Sequence, residues 1–213
     1  MMFDSMRQLL FITIPLGVYM AFFGRNLLEF LFLRGGFDQT ALNASAYALF
    51  WYAFGIPAFA ATKVTVSGFY SRKEMKTPVR VSILCIVLNV ILSLSLMGPM
   101  KQGGIALATT VTAYLNNLIL LALLRKELGR MPLKSTARLF FLTAGISALA
   151  GFAGYGVYLK CCALPGFDLL PKQFLPWFCG SCVFGAVFAV LAFLLGIREV
   201  KQVLRTIRRK FSR

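Results

Sequence analysis

The chain has 213 residues, is 59% hydrophobic and carries 23 lysines and arginines against seven acids, for a net charge of +16, and it contains no histidine. A strongly basic surface can bind nucleic acid, but these charges border long uncharged stretches, where they attract anionic lipid headgroups and set membrane orientation. We therefore predict no nucleic-acid partner. All seven acids lie outside those stretches, which excludes a carboxylate pair for acid–base catalysis at membrane depth. We predict that the chain is not an enzyme, with no catalytic residue, cofactor or metal.

Six uncharged stretches are of about the length that crosses a bilayer, which takes roughly 20 apolar residues. They cover residues 8–24, 39–62, 81–100, 102–124, 139–159 and 173–197. The segments between them alternate between few and many lysines and arginines. Assigning the rich segments to the cytoplasm places 18 of the 23 basic residues inside. The sequence thus predicts an all-α, polytopic transmembrane bundle of six spans with both termini in the cytoplasm.

The segment that follows Gly24 is too apolar for a solvated loop. Arg25 and Glu29 are spaced so that they can pair on one helix face. We predict a short separate helix at the outer interface, followed by the second span with Asp38 or Thr40 as its N-cap.

Two cations are candidates for the substrate pathway. Apolar sequence continues past Lys63 to Tyr70, so a helix that persists to Tyr70 puts Lys63 about 10 Å below its end. A cation at that depth is costly and commonly marks a pathway; the alternative is that its ammonium reaches the inner interface along a buried stem. Arg34, beside two glycines at the outer interface, can either meet a phosphate or serve as an interfacial anchor.

Polar side chains mark the third and fourth spans, which the glycines and proline of residues 98–104 predict to be a tight hairpin. Asn89 and Ser93 share one face of the third span. Together with Thr109 they can line a weak cation site, and Asn89 is also a candidate for the substrate pathway. Hydrogen bonding between the two helices explains the same residues equally well.

The last two spans contain small residues and cysteines. Gly151 and Gly154 predict a close approach between helices, because small residues let backbones meet. Cys179-Gly-Ser-Cys182 matches a redox motif only weakly without a thioredoxin-like context, and packing is favoured over a disulfide. In residues 198–213 the apolar positions recur at helical spacing among basic ones, which predicts an amphipathic helix on the anionic inner leaflet.

Three groups of motifs, in this order, resemble the MurJ/MviN lipid II flippases. They are Leu33-Arg-Gly-Gly-Phe37, then Gly68-Phe-Tyr-Ser-Arg72 with Lys76-Thr-Pro78, then Gly98-Pro with Gly104-Ile-Ala-Leu-Ala108. The second group is the most specific. The last two spans and the tail match that family only in hydropathy.

The resemblance implies a MATE-like fold of fourteen helices that moves the undecaprenyl-linked peptidoglycan precursor between leaflets by alternating access, in the bacterial cytoplasmic (inner) membrane. Residues 1–130 would be four helices of the C-terminal lobe, residues 131–197 two helices that border a groove for the lipid tail, and residues 198–213 a cytoplasmic tail. The first eight helices and their cavity arginines are not among these residues. The implied partners are lipid II or a similar polyprenyl-diphosphate lipid, anionic membrane lipids and an N-terminal flippase half, without which the chain would be inactive.

Some relatives in this family hold sodium between the helices equivalent to the third and fourth spans, although this chain has no acid there. Two other functions stay open. Another MATE-like exporter of polysaccharide lipids would share the architecture but should lack the Phe-Tyr-Ser-Arg and Lys-Thr-Pro stretch. A non-transporting membrane scaffold would need no intramembrane cation.

Overall fold

The structure, a computed structural model, describes residues 2–32, 38–128, 133–163 and 174–196. In these ranges the regular elements are all α-helices: α1 (Met2–Phe32), α2 (Gln39–Tyr70), α3 (Lys76–Met100), α4 (Gln102–Leu128), α5 (Leu133–Ala163) and α6 (Phe174–Leu194). Each of the six is long and apolar enough to cross a membrane. The predicted all-α bundle of six spans is confirmed, and the chain is a multi-pass membrane protein.

The first helix is longer than its uncharged stretch. α1 continues without a break from Gly24 to Phe32, so the prediction of a separate interfacial helix after Gly24 was wrong. Gly24 does not end the helix. It lies where α1 packs closely against α2, since a Cβ added there would lie 2.8 Å from Leu49 Cδ2. A count of uncharged positions ends a span at the first charged residue. Backbone hydrogen bonds, however, let the helix continue past an isolated charged residue.

The second helix begins at the predicted residue. The Asp38 carboxylate accepts a hydrogen bond from the Gln39 N–H at 2.7 Å, which confirms Asp38 as the N-cap. α2 then runs past Lys63 to Tyr70.

The packing of the bundle places α1 and α2 at its centre. α1 lies against α2, α5 and α6, whereas α4 packs between α2 and α3. Polar contacts fix α1 at two depths: Arg7 donates to Ser135 of α5 at 2.9 Å, and the Tyr19 hydroxyl lies 2.9 Å from Ser181 Oγ of α6. Large apolar side chains face outward, among them Phe141 at 73% exposure, as expected for a surface that faces lipid.

Glycines mediate the closest helix contacts. A Cβ on Gly154 would lie 2.7 Å from the Gly180 carbonyl oxygen, and one on Gly151 would lie 2.7 Å from the Phe22 ring. The predicted close approach at Gly151 and Gly154 is thus confirmed. At the hairpin, a Cβ on Gly104 would lie 2.3 Å from the Leu96 carbonyl oxygen.

Other predictions from the sequence have simple outcomes. Lys101 alone joins α3 to α4, which confirms the tight hairpin. All five cysteines are free thiols, and Cys85 packs in an apolar cluster with Phe69 and Leu120. Arg34 and the amphipathic helix predicted for residues 198–213 lie outside the described residues.

Candidate functional site

The site residues predicted from the sequence fall on two neighbouring parts of the bundle. Lys63 is exposed on α2, in the last third of that helix. Asn89 and Ser93 on α3 and Thr109 on α4 are half-buried and lie together. Arg34 is not among the described residues, so its place relative to this cluster stays a prediction.

The Asn89 side chain connects α3 to α4 through hydrogen bonds. Its Nδ2 donates to Thr112 Oγ1 at 2.9 Å and to Thr109 Oγ1 at 3.3 Å, and its Oδ1 lies 3.5 Å from Ser93 Oγ. The two threonine hydroxyls donate onward to carbonyls of their own helix, from Thr109 to Ile105 and from Thr112 to Ala108. Each hydroxyl can therefore accept from the amide, which makes this network internally consistent.

A cavity of about 280 Å³ opens beside this network. α2 contributes Phe59 to its wall, while α3 and α4 contribute Asn89, Thr109 and Asn116. Asn116 Oδ1 is buried, and no described residue donates a hydrogen bond to it. The cavity offers neutral amide and hydroxyl oxygens, which suit a weakly held cation better than a tightly bound one. Within the described ranges, no group of three or more His, Cys, Asp or Glu residues could hold a metal ion.

Lys63 belongs to the same side of the bundle as this cavity. Phe59, which lines the cavity, lies one helical turn before Lys63 on α2. Tyr52 and Tyr70 extend this exposed stripe of α2 in both directions at seven-residue spacing from Phe59 and Lys63. We call this stripe, with the adjoining exposed surface of α3, the open face. α3 is the least buried of the six helices. We therefore expect lipid or another protein segment to cover the open face.

Two hydroxyl groups of α4 that were not predicted as site residues, those of Thr110 and Tyr114, bond to α2 close to Pro57, where that helix lacks one backbone hydrogen bond. Pro57 lacks an N–H group and so removes one hydrogen bond from the helix. Just before it, the Trp51 carbonyl accepts from Thr110 Oγ1 at 2.8 Å and the Phe54 carbonyl accepts from the Tyr114 hydroxyl at 2.9 Å. The carbonyl that loses its helical donor to Pro57 is that of Ala53, four residues earlier. The two hydroxyls bond carbonyls on either side of it and so join α4 to α2 where α2 lacks one of its own hydrogen bonds. The sequence signal for this contact was a proline inside one uncharged stretch and threonine and tyrosine residues in another.

Six membrane helices with a cation and a polar cluster on one open face place the chain among polytopic helical membrane proteins. Comparison with protein families is more specific: the model described as lipid II flippase MurJ matches residues 1–165. The chain belongs to the MurJ lipid II flippase family, as the motif resemblance predicted.

Individual relatives show how much of such a protein is present. A probable lipid II flippase MurJ of Rhizobium tropici is 31% identical over 219 residues, which cover 97% of this chain and 39% of the relative. One of Vibrio cholerae is 33% identical over 116 residues, which cover 54% of this chain and 22% of the relative. This chain therefore spans at most about two fifths of the length of these curated relatives.

A solved structure has the same fold. It is described as lipid II flippase MurJ, inward closed conformation, and aligns with a TM-score of 0.69 at 22% sequence identity over 90% of this chain and 38% of its own length. The arrangement of the six helices is thus that of part of a larger known bundle.

Proposed function

We propose that this chain is the C-terminal part of a lipid II flippase that works by alternating access in the bacterial inner membrane, and that it carries out no enzymatic reaction. The observation that supports this most strongly is the family match over residues 1–165. In this proposal residues 1–130 form four helices of the C-terminal lobe, residues 131–197 contribute the two helices beside the lipid-tail groove, and residues 198–213 form a cytoplasmic tail. The same match favours a flippase over an exporter of polysaccharide lipids or a membrane scaffold.

In the proposed transport cycle the open face forms one wall of the substrate cavity. Lys63 would then offer a positive charge to the diphosphate of lipid II or of a similar polyprenyl-diphosphate lipid, and Asn89 would offer polar atoms nearby. A weak cation site at Asn89, Ser93 and Thr109 stays a prediction, supported by the neutral oxygens gathered beside the small cavity. Arg34 stays a prediction for the outer end of the pathway.

The proposed orientation has both termini in the cytoplasm. Arg7 of α1 contacts Ser135 of α5, and the helices alternate in direction, so the start of α1 and the α2–α3 and α4–α5 connections share one end of the bundle. We call this the basic end, since Arg72, Lys76, Arg125 and other cations lie there. The distribution of basic residues supports its assignment to the cytoplasm.

Cysteine labelling tests this orientation. In a background whose five native cysteines are replaced, we expect Lys76→Cys to react with an impermeant thiol reagent only after the cells are permeabilised, because the basic end is cytoplasmic. Lys160→Cys, an exposed position at the other end of α5, is the matched control and should react in intact cells. The reverse pattern would invert the proposed orientation.

Complementation tests the proposed function. Alternating access needs two halves that rock about a site near the bilayer midplane, and the open face alone supplies one half. We expect that the chain expressed alone fails to restore growth to cells depleted of their own lipid II flippase, while co-expression with the eight N-terminal helices of a relative restores it. Growth with the chain alone would refute the need for a second half. No growth in either case, at normal protein levels, would refute the flippase proposal.

A further inference from the structure

A second, larger cavity lies on another side of the bundle. It is a groove of about 770 Å³ between α4 and α5, with α1 and α2 as its floor, and its size is within the roughly 300–1,000 Å³ of ligand pockets. Leu10, Ala61, Leu121 and Phe140 are typical of its apolar lining, and none of the lining residues in the described ranges belongs to α6. The family resemblance implies a lipid-tail groove that both of the last two helices border, so this groove, which α5 lines without a described residue of α6, is a different one.

The groove is also separate from the proposed substrate cavity. Pro57, Ala58 and Ala61 of α2 line it. At about 100° per residue in an α-helix, Lys63 lies roughly 160° around α2 from Ala61, roughly 140° from Ala58 and roughly 120° from Pro57. The groove and the open face are consequently on opposite sides of α2.

The described charges of the groove lie at one end. Among the lining residues that the structure describes, only Arg125 and Lys126 are charged, both at the end of α4. The deepest polar residue of the α4 wall, Asn117, is already engaged, because the Thr65 hydroxyl donates to its Oδ1 at 3.0 Å. The groove thus combines an apolar channel with a cationic mouth at the basic end.

The length of the groove matches half a bilayer. Its α4 wall runs from Tyr114 to Lys126, which is about 18 Å at 1.5 Å per residue, and the hydrocarbon core is about 30 Å thick. An extended acyl chain of one leaflet has this depth.

We propose that this groove binds an anionic phospholipid, with one acyl chain between α4 and α5 and the phosphate held by Arg125 and Lys126. Basic pockets between membrane helices are a recurrent way of binding acidic lipid headgroups. The two adjacent cations and the absence of acids from the described lining give the groove the charge that complements such a headgroup. This lipid would fill the gap between the first four helices and α5 without entering the substrate cavity.

Lipid retention measured by native mass spectrometry tests the headgroup contact. The chain is purified in micelles that contain palmitoyl-oleoyl phosphatidylglycerol or the matching phosphatidylcholine, both alone and with the N-terminal helices of a relative. We expect one phosphatidylglycerol to be retained preferentially, and the double variant Arg125→Gln, Lys126→Gln to lower that preference about 30-fold, as expected for two basic residues at an anionic surface. The double variant Lys76→Gln, Arg80→Gln removes the same charge from the basic end outside the groove and should leave the preference unchanged.

A second pair of variants tests the acyl chain. Ala122→Trp fills the groove from an exposed position of α4, whereas Ala153→Trp is a matched change at an exposed alanine outside it. Only the first should release the lipid. Equal retention in the groove variants and their controls would overturn the proposal, and so would loss of the lipid once the N-terminal helices are bound, since a helix would then cover the groove. Because lipid retention is measured without transport, these outcomes are independent of whether the chain belongs to an active flippase.

Discussion

Replacing Lys63 with alanine is expected to abolish flipping by the chain when it is assembled with the N-terminal helices of a relative. The open face carries this cation one turn from Phe59 and the small polar cavity. Removing it would leave the substrate diphosphate without this counter-charge in a medium of low dielectric, where an unpaired charge is costly. Lys63→Arg should rescue only in part, because guanidinium is larger and differs from ammonium in its hydrogen-bond geometry. Growth complementation at matched protein levels is the measurement.

The matched control for this experiment is Lys160→Ala, which removes an exposed cation from the far end of α5 and should retain activity. If Lys63 instead extends along the helix to the inner interface, Lys63→Ala will behave like Lys160→Ala. Full activity of Lys63→Ala would therefore remove Lys63 from the substrate pathway.

Replacing Gly154 with valine is expected to destabilise the contact between α5 and α6. The added Cβ would lie 2.7 Å from the Gly180 carbonyl oxygen and 3.2 Å from Phe184 Cβ. Neither neighbour is the end of a flexible side chain, so the helices must separate, and overpacking of this kind costs about 1–3 kcal/mol. Unfolding in mixed detergent micelles, followed by circular dichroism, should show this loss.

Gly156→Val provides the control on the same helix. A Cβ at Gly156 meets no atom within 4 Å, so the same substitution should leave the free energy of unfolding nearly unchanged. Equal stability of the two variants would mean that the glycine contact between α5 and α6 contributes little.

The elements and the α3–α4 hairpin could be predicted from the sequence, whereas several helix ends and the other helix pairings could not. An uncharged stretch identifies a span because charges are expensive in lipid, but α1 continues past Arg25 and α5 begins before Arg138. Those residues sit near the helix ends, where water is close. Hydropathy also does not reveal that α4 lies between α2 and α3, because which faces meet depends on side-chain shape rather than on average polarity.

The positions of the candidate site residues on their helices could be predicted one by one, but the surface that they form together could not. Local spacing placed Asn89 and Ser93 on one face, and the hairpin after α3 brought Thr109 opposite them. The relation of Lys63 to this cluster depends on Phe59, which lines the cavity from a third helix. The phospholipid groove could not be predicted from the sequence for the same reason, because its lining comes from four helices. In the sequence, Arg125 and Lys126 indicate only the membrane orientation.

The one-residue connection at Lys101 has a consequence for how the protein enters the membrane during synthesis. α3 packs almost entirely against α4, the helix that is made after it, and it barely touches α2. When α3 emerges, the surface that will hold it does not yet exist, so its own apolar character must keep it in the bilayer until α4 follows. The most apolar 18-residue segment of α3 has a higher mean hydropathy than that of any other of the six helices, as this order of events requires. Because Lys101 alone separates them, α3 and α4 then pack as a single hairpin, and the contact with α4 holds α3 in place.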